Sequence, residues 1–495
     1  MPRAMESSSK SRKESILIKY AVVSRLLVLF LTVLWRSFLQ PYDTSAALNP
    51  PCLHHRDVPE DSPPLLVANS VSKTLENSVV WDSVYFLRIT QCGYEYEQTY
   101  AFLPLLPFFI SLLSRTVFAP LVPLIGLRAV MVLSGYVVTN VTFVFAAIYL
   151  FRVSVIILKD TEASFRASVI FCFNPASIFY SSIYSESLYA LFSIGGVYHL
   201  LSGASNVAVL WFALSGCARS NGILNAGYIC FQTMHRAYEA FYLKRRFFVL
   251  VTGFIRCVCI CLPFVAFQAY GYYNICHGHK LDDELRPWCK AKVPLLYNFI
   301  QSHYWGVGFL RYFQFIQLPN FLLASPILSL AVCSIVSYMK TRPELFTSLG
   351  FQATEKEKRS SARLYSLKEV LEPDVITSSN EGSRDIRQRK PSRKKDVTIT
   401  TNTAAESNSP EASGYFSADV FPFVVHLGLM AATAFFIMHV QVATRFLSAS
   451  PPLYWFASHL IASPKHSKWG YLMWSYCAAY ILLGSLLFSN FYPFT

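Results

Sequence analysis

The residues in this chain best suited to chemistry are a few ionisable groups set among aromatic and apolar neighbours. Foremost is Asp82, in Val80-Trp81-Asp82-Ser83-Val84-Tyr85-Phe86. A carboxylate flanked by aromatics near a membrane interface can hold a sugar by stacking while it takes a proton from a hydroxyl. A lone loop aspartate is equally at home as a solvated group or a helix cap. Glu186, in Ser181-Ser182-Ile183-Tyr184-Ser185-Glu186-Ser187, lies within an apolar stretch, where an ionisable side chain is costly and faces a cavity or a partner. Arg219, in Cys217-Ala218-Arg219-Ser220-Asn221-Gly222, is the cation available to pair with Glu186 or with a ligand phosphate, and a purely structural ion pair stands as open as a substrate contact. Gln441 and Arg445, in His439-Val440-Gln441-Val442-Ala443-Thr444-Arg445-Phe446, fall at the end of a late apolar run, where snorkelling is the default for an arginine. No Walker loop, dinucleotide fingerprint, HExxH or GxSxG is present.

The elements that must position these groups are membrane helices. Over 495 residues the chain is 53% hydrophobic and only 15% charged, with a mean hydropathy of +0.37, whereas soluble domains carry about 25% charged residues. The apolar residues come in continuous runs of about 20, enough to cross a hydrocarbon core of about 30 Å. Helices are the expected spanning unit because a segment in lipid must satisfy its own backbone. The net charge of +14 resides mainly in tails and loops beside these runs and reads as topology rather than nucleic-acid binding. Arg3, Lys10, Arg12, Lys13 and Lys19 precede or open the first run, which places the N-terminus in the cytosol.

From this the expected organisation is a cytosolic tail over 1–15 and a first transmembrane helix over 16–39, retained rather than cleaved. A first lumenal loop carrying Asp82 follows over 40–99, then transmembrane helices with broken or re-entrant segments over 100–270, where Pro104, Pro107, Pro175 and Pro263 interrupt the runs. A second lumenal loop over 271–318 leads to a span over 319–339, a basic, Ser-rich disordered cytosolic linker over 340–415 and C-terminal transmembrane helices over 416–495. The last two spans, 421–440 and 469–488, are expected to flank a lumenal segment with Arg445, Tyr454 and Trp455, which returns the C-terminus to the cytosol. Cys52, Cys92, Cys276 and Cys289 fall in the lumenal segments, where a disulfide can form, Cys276 with Cys289 being the favoured pair. The sequon at Asn140 lies inside an apolar run and is expected to stay unmodified.

Several blocks, in order along nearly the whole chain, are similar to the second-mannosyltransferase family of glycosylphosphatidylinositol-anchor assembly. They are Trp81-Asp82 with Ala101-Phe102-Leu103-Pro104, Asn174-Pro175-Ala176 through Tyr184-Ser185-Glu186, and Ala218-Arg219-Ser220-Asn221-Gly222. The later ones are Tyr304-Trp305 with Val307-Gly308-Phe309-Leu310, Pro319-Asn320-Phe321-Leu322, and His439-Val440-Gln441-Val442 with Thr444-Arg445-Phe446-Leu447. The basic segment from about Arg342 to Ser413 departs from the family in length and charge. The resemblance implies an all-α polytopic fold of the lipid-donor (GT-C) glycosyltransferase type in the endoplasmic reticulum membrane. It implies dolichyl-phosphate mannose as donor and the mannosylated glucosaminyl-acyl-phosphatidylinositol as acceptor of a second mannose in α-1,6 linkage. Asp82 matches the family's acidic residue in the first lumenal loop, and Trp81, Glu186, Arg219, Asn221, Trp305, Gln441 and Arg445 become the expected substrate contacts.

A β-linked phosphomannose that becomes an α-mannoside inverts, so one displacement and one base suffice, with Asp82 as the base and Arg219 or Arg445, with Arg311 in reserve, facing the leaving phosphate. No metal and no cofactor are expected. The bilayer is an expected partner, an accessory membrane subunit is left open, and nucleic acid is not expected. The rival readings are a transporter, with Arg25, Glu186 and Arg219 along a pathway, and a non-catalytic subunit of a lipid-glycan complex.

Overall fold

The computed structural model describes residues 2–43, 50–53, 66–240, 246–277, 286–365, 414–463 and 467–492. Helix α1 (Pro2–Phe38) runs without a break through the basic N-terminal stretch and the first apolar run. The expected tail over 1–15 is therefore part of the helix: Lys, Arg and Glu are good helix formers, and Lys13 pairs with Glu162 while Arg152 lies 2.6 Å from Glu14. The stretch expected as the first loop contains α2 (Leu66–Asn77) and α3 (Asp82–Cys92). Next come α4 (Leu105–Arg115) and α5 (Val122–Ile125), with a 65° bend between α4 and the segment that ends in α5.

Helix α6 (Leu127–Leu158) is about 48 Å long at 1.5 Å per residue. It stops at Lys159, whose φ of 54° is left-handed, and Asp160 then caps α7 (Thr161–Cys172) by accepting from the amides of Glu162 and Ala163. Pro175 follows α7, so the chain cannot continue as one helix; it restarts as α8 (Ser177–Ser181) and α9 (Glu186–Leu201), which pairs with α10 (Ser205–Ala218). Gly195 and Gly196 let this pair close: a Cβ on Gly195 would lie 2.2 Å from the Trp211 ring. The carbonyls freed by the break after α7 are met by Arg25, buried in α1, which donates to Cys172 O at 3.2 Å and Ser177 O at 2.9 Å and stands 3.8 Å over the Phe143 ring. Asn140 is likewise structural here, donating to Tyr136 O and Ser181 O.

The remaining helices are α11 (Ala226–Ala240), α12 (Arg246–Tyr272), α13 (Leu296–Tyr304), α14 (Leu318–Thr341), α15 (Pro343–Thr347), α16 (Glu355–Ser360), α17 (Ala362–Tyr365), α18 (Phe421–Phe436), α19 (Ala443–Leu447), α20 (Pro451–Ala462) and α21 (Ser467–Ser489). Six helices among the described residues are long and apolar enough to cross a membrane, or up to seven counting the bent pair. The fold is all-α and polytopic. Helix α12 turns Phe247, Phe248 and Phe254 outward, an apolar face that suits lipid rather than water.

Two expectations are corrected. The linker expected to be disordered over 340–415 is ordered in its first part: residues 343–365 include three short helices, anchored where Arg342 meets Glu357 at 2.9 Å and Phe416 O at 3.0 Å, and where the Tyr365 hydroxyl donates to Ala418 O. Residues 366–413 of that linker lie outside the described residues. The segment between the last two spans is not a loop either. Tyr454 and Trp455 are buried, and the Trp455 indole donates to Ser154 Oγ at 2.7 Å. Helices α19 and α20 carry the chain back through the molecule, so α21 runs parallel to α1: Phe173 sits between Tyr20 and Trp474 at one end, and Arg36 donates to Ser489 O at the other. The chain thus leaves α21 at the same end as Asp82, opposite the start of α1, rather than returning to the N-terminal side. At this Asp82 end both cysteine pairs are joined, Cys52 with Cys92 and Cys276 with Cys289. The two non-spanning segments also meet there, the Trp288 indole and the Tyr304 hydroxyl both donating to Glu97.

Candidate active site

Asp82 is placed by what precedes it. Val79 and Val80 are buried, and Trp81 takes a left-handed φ of 54°, rare for a bulky residue. The Trp81 indole N–H donates to Phe488 O at 3.2 Å and its ring packs 5.3 Å from Phe491, so the tail of α21 holds the turn in place. Asp82 then opens α3, where the helix dipole favours a carboxylate. Its amide donates to the Tyr184 hydroxyl at 3.0 Å.

Glu186 opens α9 in the same manner, directly after the break that follows α8. Arg219 ends α10 in an extended conformation, because the following 3-10 turn folds back so closely that a Cβ on Gly222 would lie 2.4 Å from the Gly216 nitrogen. Arg445 lies in the short α19, its guanidinium 5.3 Å over Phe179 and 5.6 Å over Tyr184. These four side chains form one chain of charges. Arg219 pairs with Glu186, Arg445 Nη1 stands 3.8 Å from that same Glu186 oxygen, and the same Nη1 donates to Asp82 Oδ2 at 2.9 Å. The Glu186 side chain is 2% exposed and that of Asp82 34%. Burial works against the charge on Arg445, and the neighbouring carboxylates of Asp82 and Glu186 favour it. Glu186 Oε2 and Arg445 Nε have no hydrogen-bond partner among the described residues, a costly state for buried polar atoms that a ligand can relieve.

The cluster forms one wall of a cavity of about 360 Å³. Trp81, Asp82, Glu186, Arg219, Trp305, Gln441 and Arg445 all line it. Trp305, whose ring meets Phe102 edge-on, and Tyr297, whose hydroxyl is 2.7 Å from Ser220 Oγ, line it as well. Gln441 accepts from the Tyr312 hydroxyl at 3.0 Å, and His439 stacks on the same tyrosine. Asn221 is the exception among the expected contacts: it is buried beside the cavity and does not line it. Arg311 does not reach it either; its side chain packs on Gly308. Among the described residues the only grouping of three or more metal-ligand side chains is Cys52, Cys92 and Glu95, where both sulfurs are already joined in the disulfide.

The chain matches the model of the family described as Mannosyltransferase (PIG-V) over residues 12–495. It belongs to the PIG-V mannosyltransferase family. Among curated proteins of this kind it is 30% identical to the human GPI alpha-1,6-mannosyltransferase 2, over 91% of this chain and 84% of that protein. It is 27% identical to GPI mannosyltransferase 2 of Drosophila melanogaster, over 96% of this chain and 99% of that one. The GPI mannosyltransferase 2 of Gibberella zeae is 24% identical, over 93% and 95%. No solved structure matches the chain.

In this PIG-V mannosyltransferase the cavity brings together aromatic planes, two carboxylates and two guanidinium groups. It also contains residues that the sequence did not single out. Tyr184, which orients the Asp82 amide, and His439 were visible only as members of the blocks that carry the family resemblance. Tyr297 and Gln301 carry no local signal; packing of α13 brings them in.

Proposed function

We propose that this chain transfers mannose in α-1,6 linkage from dolichyl-phosphate mannose to the mannosylated glucosaminyl-acyl-phosphatidylinositol of the GPI-anchor pathway, in the lumen of the endoplasmic reticulum. The observation that carries the reading is the meeting of Asp82, Arg445, Glu186 and Arg219 in one aromatic-walled cavity at the end of a bundle of apolar helices. Both substrates are lipid-anchored, so their tails lie among helices while the sugars meet above them. Asp82, the most accessible of the four charges, takes the proton of the acceptor 6-hydroxyl as that oxygen attacks C1 of the mannose, a contribution of about 10²- to 10⁴-fold. The departing lipid phosphate gains negative charge and faces Arg445 and Arg219 in a poorly hydrated setting, where such groups act most strongly. Trp81 and Trp305 offer faces for the sugars, and Glu186 Oε2 offers an acceptor for a sugar hydroxyl. Arg25 is fully engaged by two helix carbonyls and the hydroxyls of Ser24, Ser177 and Ser181, which speaks for an enzyme over a transport pathway.

The test is an assay in microsomes that lack their own second mannosyltransferase, supplied with labelled dolichyl-phosphate mannose and the singly mannosylated acceptor. The wild-type chain should yield a doubly mannosylated lipid. Asp82→Asn should lose at least about 10²-fold in turnover at unchanged protein level; undiminished turnover in that variant would dismiss the assignment of the base.

A further inference from the structure

One cation cannot serve two anions at full strength, and the structure gives Arg445 to Asp82 before any phosphate arrives. Its Nη1 is 2.9 Å from Asp82 Oδ2 and 3.8 Å from Glu186 Oε1, which is already paired with Arg219. The rings of Phe179 and Tyr184, packed edge to face, both lie against the guanidinium, so it sits on an aromatic platform across which a small rotation changes its partner. The four charges sum to zero as they stand, two carboxylates against two guanidinium groups. Resting on the mannosyl-transfer reading above, we propose that Arg445 is handed from Asp82 to the leaving phosphate during the reaction, so that the general base and the leaving-group cation are one coupled device.

The balance of the step shows why. The O–H bond of the acceptor hydroxyl breaks and its proton passes to the Asp82 carboxylate. The oxygen uses the freed pair to bond C1 of the mannose, and the C1–O bond to phosphate breaks with its pair leaving on the lipid phosphate. Asp82 thereby becomes neutral at the moment the phosphate gains its second negative charge. Arg445 loses one anion and acquires another, and the net charge of cluster plus substrates never changes. In a poorly hydrated cavity such conservation avoids uncompensated charge, which is costly there. Glu186 holds Arg219 in place throughout and keeps a second carboxylate near Arg445, so the guanidinium is never without a neighbouring anion.

Binding of dolichyl phosphate to the purified full-length chain tests this, using wild type, Asp82→Asn, Arg445→Gln and the double variant, each checked for an unchanged melting temperature. Removing Asp82 as competitor should tighten dolichyl phosphate about tenfold or more, and tighten dolichyl-phosphate mannose, which carries one charge fewer, by less. In the Arg445→Gln background the Asp82→Asn change should have no such effect. Equal tightening in both backgrounds means that Asp82 merely repels phosphate and overturns the handover, as does an Asp82→Asn chain whose binding is flat. Should Asp82→Asn not remain folded, Asp82→Ser takes its place in the same cycle. Failure of the handover is distinct from failure of the transferase reading: the former leaves Asp82→Asn inactive with unchanged phosphate affinity, whereas in the latter the wild-type chain itself yields no doubly mannosylated lipid.

Discussion

The two ends of the molecule use the same side-chain chemistry for opposite purposes. At the N-terminal end, Lys13 with Glu162, Arg152 with Glu14 and Lys159 with Asp419 each join two elements, and each has a partner at least partly open to water. At the Asp82 end, Arg445 is shared between Asp82 and Glu186, Glu186 between Arg445 and Arg219, and aromatic rings lie beneath. Exposed pairs are worth about 0 to 1 kcal/mol and act as fasteners. Shared charges gathered around a buried group such as Glu186 contribute little to stability in their own right, because desolvation offsets attraction. What they provide is a set of alternative partners, which a fastener must not have and a reaction needs.

Three substitutions sharpen or break that contrast. Arg445→Gln should have the largest effect, lowering turnover by about 10²- to 10³-fold, the scale for removing a cation or donor aimed at developing charge. The microsomal assay with protein level measured in parallel reads this, and a variant lost only in abundance would turn the shared cluster into another fastener. Arg25→Met comes next: it leaves the carbonyls of Cys172 and Ser177 unmet in the apolar interior, at about 2 to 3 kcal/mol for hydrogen bonds to a charged group. A lower melting temperature with little change in turnover per folded molecule is expected, and a specific loss of turnover would move Arg25 from scaffold to site. Lys13→Ala should change stability by no more than about 1 kcal/mol and leave activity untouched; a collapse there would erase the distinction between the two ends.

The long apolar runs announced the spanning helices, since lipid demands helices and lets few charges in. Glu186 and Arg219 announced each other for the same reason. Asp82 was legible as a carboxylate between aromatics, and the family resemblance raised it above other loop acids. What escaped was set by packing at a distance. Arg25 reads as a pathway charge until the carbonyls of a broken helix are seen around it. Helices α19 and α20 are short and interrupted by Ser448, Ser450 and Pro451, so no window along the chain has the length of a span, although the segment is buried and crosses the molecule. Missing that one passage inverted the side on which the chain leaves α21. The polar residues 343–365 resemble linker because their order comes from anchors such as Arg342 to Glu357 rather than from apolar periodicity.

The parallel course of α1 and α21 has a practical outcome. Whatever follows α21 emerges on the side that bears Trp81 and Asp82, while whatever precedes α1 stays a membrane's thickness away. A biotin-acceptor or protease-cleavage tag on the tail, tested in sealed vesicles, therefore reports which compartment Trp81 faces without a label near the cavity. By the same geometry a bulky fluorescent fusion belongs ahead of α1, because at the other end it hangs beside the cavity that Trp81 and Phe488 line.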